Sequence, residues 1–178
     1  ALVWQSTRFS EHFLKTLTTS DDVVNFLSKK DPDEQSLLTY FIYADNTFVV
    51  KGTIDKISQF NLQEHHIVSR QVLHATVNAC LGNKADILNY LIEFQSKVDD
   101  FVMFAAVAAG NVSVIQKLLL HSGNLKATIS DKLRKDLTNT IKHCVSYPNN
   151  SSYHHDINLL HVACNYSRID MVNYLKTN

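Results

Sequence analysis

One spacing recurs along this chain and limits what it can fold into. In residues 158–175 (NLLHVACNYSRIDMVNYL) the small pair Ala163-Cys164 precedes Ser167, and Met171-Val172 and Leu175 follow. Residues 76–92 (TVNACLGNKADILNYLI) repeat it with Ala79-Cys80, Asn83, Ile87-Leu88 and Leu91. Residues 101–120 (FVMFAAVAAGNVSVIQKLLL) do so with Ala106, Gly110, Val114-Ile115 and Leu118. Weaker echoes lie upstream: Gly52 is followed by Ile54, Ile57 and Phe60, and Thr19 by Val23-Val24 and Leu27. The pivots fall at 19, 52, 83, 110 and 167, at intervals of 33, 31, 27 and 57.

The last stretch resembles one ankyrin repeat, whose pattern runs T-P-L-H-x-A-A-x-x-G-H-x-x-I-V-x-x-L. Leu160-His161 stand for L-H, Ala163-Cys164 for A-A, Ser167 for G and Met171-Val172 for I-V. The resemblance implies helix, tight turn, helix, in a unit that cannot bury its own apolar face and must stack on neighbours. The implied fold is an all-α ankyrin-repeat solenoid with a helical insertion before the last repeat. It forms a single domain over residues 1–178. Residues 1–66 hold capping helices and degenerate repeats, 67–120 two clear repeats, 121–157 the insertion and a loop, and 158–178 the last repeat. Cys80, Val107 and Cys164 take the second small position, where packing is tight, and are expected to be buried there as small apolar groups. The resemblance gives His161 a local hydrogen bond that supports the turn.

The rest of the chain fills in around this register. Residues 1–13 (ALVWQSTRFSEHF) read as a capping helix with Trp4 and Phe9 as contacts, and Phe13-Leu14 and Leu17 begin the packed face. Ser20-Asp21-Asp22 suits a helix start, because short oxygen side chains cap free amides and negative charge suits that end. Asp31-Pro32-Asp33 is a turn signal. In residues 36–50 Phe48 and Val49 fall where small residues belong, which fits a longer first helix or a bulkier repeat. The short interval leaves residues 94–100 (FQSKVDD) room for a tight turn only, with no hairpin finger and with Asp99 or Asp100 as a helix cap.

The long interval holds the insertion. Leu125, Ile129, Leu133, Leu137, Ile141 and Val145 recur every four residues, an apolar stripe on one long helix. A degenerate repeat broken near Thr138-Asn139 is the second reading. Residues 147–156 (YPNNSSYHHD) form a loop in the place of a finger. Tyr147, Tyr153, His154 and His155 are the candidate partner-binding residues, since aromatic groups in a polar loop are what a contact surface offers.

Composition excludes several classes. Over 178 residues, 17 basic and 17 acidic side chains cancel, which argues against an electrostatic nucleic-acid or membrane surface. The length suits one domain or about five repeats of roughly 33 residues. Three widely spaced cysteines, Cys80, Cys144 and Cys164, do not make a disulfide framework and suit a reducing cytosol. The longest apolar run, residues 101–109, is far short of the roughly 20 residues that span a bilayer. With no starting Met and no signal peptide, the chain reads as a piece of a longer protein.

No catalytic constellation stands out. His143-Cys144 with His161 and Cys164 resembles a zinc set only loosely, and packing already explains Cys164. No cofactor or metal is expected. His65-His66 and His154-His155 read as loop pairs, polar surface first and pH-sensitive second. The N-x-S matches at Asn111 and Asn165 sit beside turns, where a glycan would crowd the stack.

The expected function is a non-enzymatic, monomeric protein–protein interaction scaffold that binds through its concave face and loops. General appearance resembles ankyrin proteins that intracellular bacteria deliver into host cells, which implies a eukaryotic host protein as partner and the host cytosol as location. The alternative is a substrate-recruiting segment of a larger enzyme, with catalysis outside this chain.

Overall fold

A computed structural model describes residues 7–30, 36–95, 97–129 and 157–178. Their regular structure is helical apart from one two-residue antiparallel ladder and an isolated bridge between Lys30 and Ser36. The chain divides into two compact units, Ala1–Ser96 and Lys97–Asn178.

The first unit contains α1 (Thr7–Thr16), α2 (Ser20–Ser28), α3 (Leu37–Tyr43), α4 (Thr47–Gln59), α5 (His66–Leu81) and α6 (Ala85–Phe94). α2 starts where the sequence indicates. The Thr19 hydroxyl accepts from the Asp22 amide at 3.2 Å, and the Asp22 carboxylate accepts from the Thr19 amide at 2.9 Å. This reciprocal box satisfies amides that a helix start leaves open. Hydrogen bonds from Thr19 and then Thr18 hold the Asp22 carboxyl below the ordinary range. α3 and α4 form one hairpin, α5 and α6 the next; α3 packs on α5 and α4 on α6. α2 lies against α4 and α5, and α1 against α4. Phe13 meets Phe26 edge-on at 4.9 Å and Phe41 at 5.4 Å, and this aromatic cluster joins α1, α2 and α3.

The second unit contains α7 (Asp100–Ala109), α8 (Val112–Leu120), β1 (Thr128–Ile129), β2 (Ile157–Asn158), α9 (Leu159–Asn165) and α10 (Ile169–Thr177). α7 pairs with α8 and α9 with α10; α9 packs on α7 and α10 on α8. Asp99 caps α7, its carboxylate accepting from the Phe101 amide at 2.8 Å. Residues 95 and 97–99 carry no strand, as the short interval requires.

One turn geometry recurs between the helices of these hairpins. Asp45, Asn83, Gly110 and Ser167 are left-handed, with φ of 57, 53, 76 and 52°. The next amide closes each turn onto the carbonyl five residues back: Asn46 onto Phe41, Lys84 onto Ala79, Asn111 onto Ala106 and Arg168 onto Ala163. This arrangement satisfies carbonyls that a helix end would otherwise expose. Four and five residues beyond the left-handed residue come Val49-Val50, Ile87-Leu88, Val114-Ile115 and Met171-Val172. All are buried except Val172, which is half-buried. Fully burying such a side chain contributes about 1.5–3 kcal/mol.

Three expectations need correction. The upstream pivot is Asp45, not Gly52, which lies inside α4. Glycine serves there because α1 comes close: a Cβ would run into the Leu14 side chain. The tight positions of this hairpin are therefore Phe41 and Ile42, both buried, in place of a small pair. Second, residues 124–129 are not the start of a long helix. Ser122 is left-handed, the Asn124 side chain accepts from the Lys126 amide at 2.9 Å, and Thr128-Ile129 pair with Asn158 and Ile157. A side-chain-closed turn followed by two β-branched residues suits a ladder better than a helix. The rest of the expected insertion helix lies outside the described residues, as do Trp4 and residues 31–35.

Third, Cys80 and Val107 are fully buried, but Cys164 is exposed. The register is not at fault, because Ala163 is buried and Arg168 closes onto it. Val107 sits on α7, against which both α8 and α9 pack. α9 packs against α7, α10 and β2, yet Cys164 on it remains exposed.

Candidate binding surface

Tyr147, Tyr153, His154 and His155 lie outside the described residues. The ladder of β1 with β2 brings the two ends of that span together, pairing Thr128 with Asn158.

Within each unit, the residue that follows the left-handed position reaches the hairpin or helix before it. Asn46 Nδ2 donates to the Ser10 hydroxyl of α1 at 2.8 Å, and both residues are buried. Lys84 reaches the Asp45 carboxylate at 3.3 Å. Arg168 Nε donates to the Ala108 carbonyl at 2.9 Å. Lys84 and Arg168 make no side-chain cap of their own helices, so their reach is toward the neighbour. Lys51 of α4 also stands over the Tyr90 ring of α6, 5.0 Å from its centre, which ties the second helices together.

The first-helix surface of the first unit carries a polar row. His66, Arg70, His74 and Asn78 follow one another every four residues on α5. A step of four advances about 40° round a helix, so the row winds from solvent into the packed face. His66 and Arg70 are exposed, His74 is half-buried and Asn78 is buried. The Tyr43 hydroxyl of α3 donates to Asn78 Oδ1 at 3.1 Å, while Asn78 Nδ2 donates to the His74 carbonyl at 2.9 Å. Tyr43 itself is 49% exposed, an aromatic edge beside the row. His74 has its pKa pushed down, first by burial and then by the charges of Arg70 and Lys30. His65 and His66, expected in a loop, are the cap and first residue of α5, with rings stacked at 4.9 Å.

The other candidates have structural roles here. His161 Nδ1 accepts from the Asn158 amide at 3.2 Å, and Asn158 Oδ1 accepts from the His161 amide at 3.0 Å. This is a local capping box, so that ring nitrogen is already engaged. Burial pushes the Cys80 thiol up to about 12, which keeps it protonated and unreactive. Among the described residues no three histidine, cysteine or carboxylate side chains are placed to hold a metal ion. His143 and Cys144 lie outside them. No described helix is long and apolar enough to cross a membrane.

No family model, curated protein or solved structure matches this chain. Its chemistry is therefore read from its own residues. Sequence alone does not reveal the α5 row, because a His-His pair at a helix start reads as a loop. The signal was present as four nitrogen-bearing side chains at a spacing of four.

Proposed function

We propose that this chain is an ankyrin-type solenoid whose function is to bind another protein, without catalysis of its own. The observation that carries this reading is the repeated register. Four hairpins share one left-handed turn position, one closing hydrogen bond and one pattern of buried aliphatic residues. Such units stack by burying a common face and leave an extended surface for a partner. On this reading the partner meets the first-helix face of the first unit, where Tyr43, His66 and Arg70 are exposed, and residues 147–156, outside the described residues, are a separate expected contact. Fold by itself does not choose among functions; the absorbed roles of Cys80 and His161 and the half-exposed aromatic and basic groups favour binding. The proposed setting is the cytosol of a host cell, with a eukaryotic protein as partner.

The test is capture of proteins from eukaryotic lysate by the intact chain, by a chain with residues 147–156 replaced by Gly and Ser, and by Tyr43→Ala. A captured protein that also binds directly when purified, and is lost with one of the two changes, supports the reading and locates the site. Failure of the folded, intact chain to bind any purified candidate overturns it.

A further inference from the structure

We propose that the α5 row His66, Arg70 and His74 receives an extended, acidic segment of the partner protein with carboxylates at alternate residues. This deepens the scaffold reading and rests on it.

The argument begins with charge. Neither α5 (HIVSRQVLHATVNACL) nor α3 (LLTYFIY) contains a carboxylate, and the nearest acidic residue in sequence is the exposed Glu64, just before the outer end of the row. Arg70 is exposed and makes no ion pair with another described residue. α2 packs on α5, and just beyond its end the charge of Lys30 acts on His74. The chain has zero net charge, so this attraction is local and does not follow from composition.

The surroundings of His74 point the same way. The charged groups that act on it are Arg70, from its own helix, and Lys30, from the end of α2. α3 packs on α5, with Tyr43 bonded to Asn78, and has no charged residue. α6, also packed on α5, carries Asp86 and Glu93, both exposed. At the far end of α2, Asp21 is exposed and the Asp22 carboxylate accepts from Thr18 and Thr19. His74 therefore sits in a field that resists a further positive charge, and an arriving carboxylate relieves it.

Spacing selects the form of the ligand. Successive members of the row are four residues apart on a helix, about 6 Å of rise. An extended peptide advances roughly 3.3 Å per residue, so alternate side chains recur every 6–7 Å on one side. Three carboxylates at alternate positions thus match His66, Arg70 and His74 in turn. Arg70 at the centre offers the planar fork that binds a carboxylate with two hydrogen bonds. Tyr43, half-exposed beyond the inner end, supplies an apolar edge.

The probe is a fluorescein-labelled peptide of alternating Glu and Gly, compared by anisotropy with its Gln counterpart and with a peptide carrying the same Glu residues in one block. The alternating peptide is expected to bind best. Arg70→Glu should weaken it by about tenfold or more, while Lys126→Glu, the same charge change on an exposed residue of the second unit, should leave it unchanged. Affinity should rise as pH falls from about 7.5 to about 5.5, because a histidine beside a ligand carboxylate takes up a proton there. Replacing both histidines of the row, His66→Gln with His74→Gln, should remove that rise.

Equal binding of the Gln peptide, or equal losses from Arg70→Glu and Lys126→Glu, overturns the proposal. Residues 31–35 (DPDEQ) adjoin Lys30 and carry three carboxylates. If the peptide binds only when these are changed to Asn, Asn and Gln, the occupant is the chain's own acidic segment, and the proposal of a partner fails. A chain that binds a purified partner yet ignores the acidic peptide loses this inference and keeps the scaffold reading.

Discussion

Gly110 meets two demands at once. Its φ of 76° is a conformation that costs a residue with a Cβ about 1–2 kcal/mol. A Cβ there would also come within 2.6 Å of Arg168 Cδ, which lies across the turn on its way to the Ala108 carbonyl. Gly110→Ala should therefore destabilise the chain by about 1–2 kcal/mol, read from urea unfolding. A variant as stable as the parent would mean that the turn relaxes without cost. The same turn position holds Asp45 and Asn83, whose short polar side chains tolerate the left-handed region, and Ser167, which does so less well.

Among the elements, the hairpin of α3 and α4 is the most instructive. Its pivot, Asp45, lies seven residues before the expected Gly52. The pattern of small pair, turn and aliphatic pair was legible for Asn83, Gly110 and Ser167 because those hairpins keep Ala79, Ala106 and Ala163 at the tight position. Phe41 fills that position in the earlier hairpin and packs on Phe13 and Phe26, so the small-residue signal is absent. The glycine that drew the register to 52 answers a helix contact, which sequence spacing does not distinguish from a turn. The α5 row was missed for a related reason, since a histidine pair at a helix cap reads as a loop. The contact that joins α3 to this row is testable. Tyr43→Phe removes the hydroxyl that donates to buried Asn78, leaving an acceptor without its donor. A loss of about 1–2 kcal/mol is expected, and double substitution with Asn78→Leu should recover part of it. No loss in the single variant would show that solvent replaces the hydroxyl.

At the scale of the whole molecule, His74 links stability to pH. Burial and the charges of Arg70 and Lys30 hold its folded pKa below the ordinary value of 6.5. The unfolded chain then binds a proton at higher pH than the folded chain does. The stabilisation is present above about pH 6.5 and fades as pH falls from there toward the folded value. The Tm of the parent should fall between about pH 7.5 and about pH 5.5 by more than that of His74→Gln. Equal falls would remove His74 as the cause.

The claim on which fold and function both rest is that one turn register is repeated along the chain. Amide hydrogen exchange followed by NMR tests it most directly. The amides of Asn46, Lys84, Asn111 and Arg168 each close a turn onto the carbonyl five residues back, at 2.9, 2.9, 3.4 and 2.9 Å. All four are expected to exchange far more slowly than unstructured amides, with Asn111, the longest bond, the fastest of them. Exchange of Asn46 or Arg168 at the unstructured rate, while Lys84 and Asn111 stay protected, would contradict a common register and with it the stacked binding scaffold.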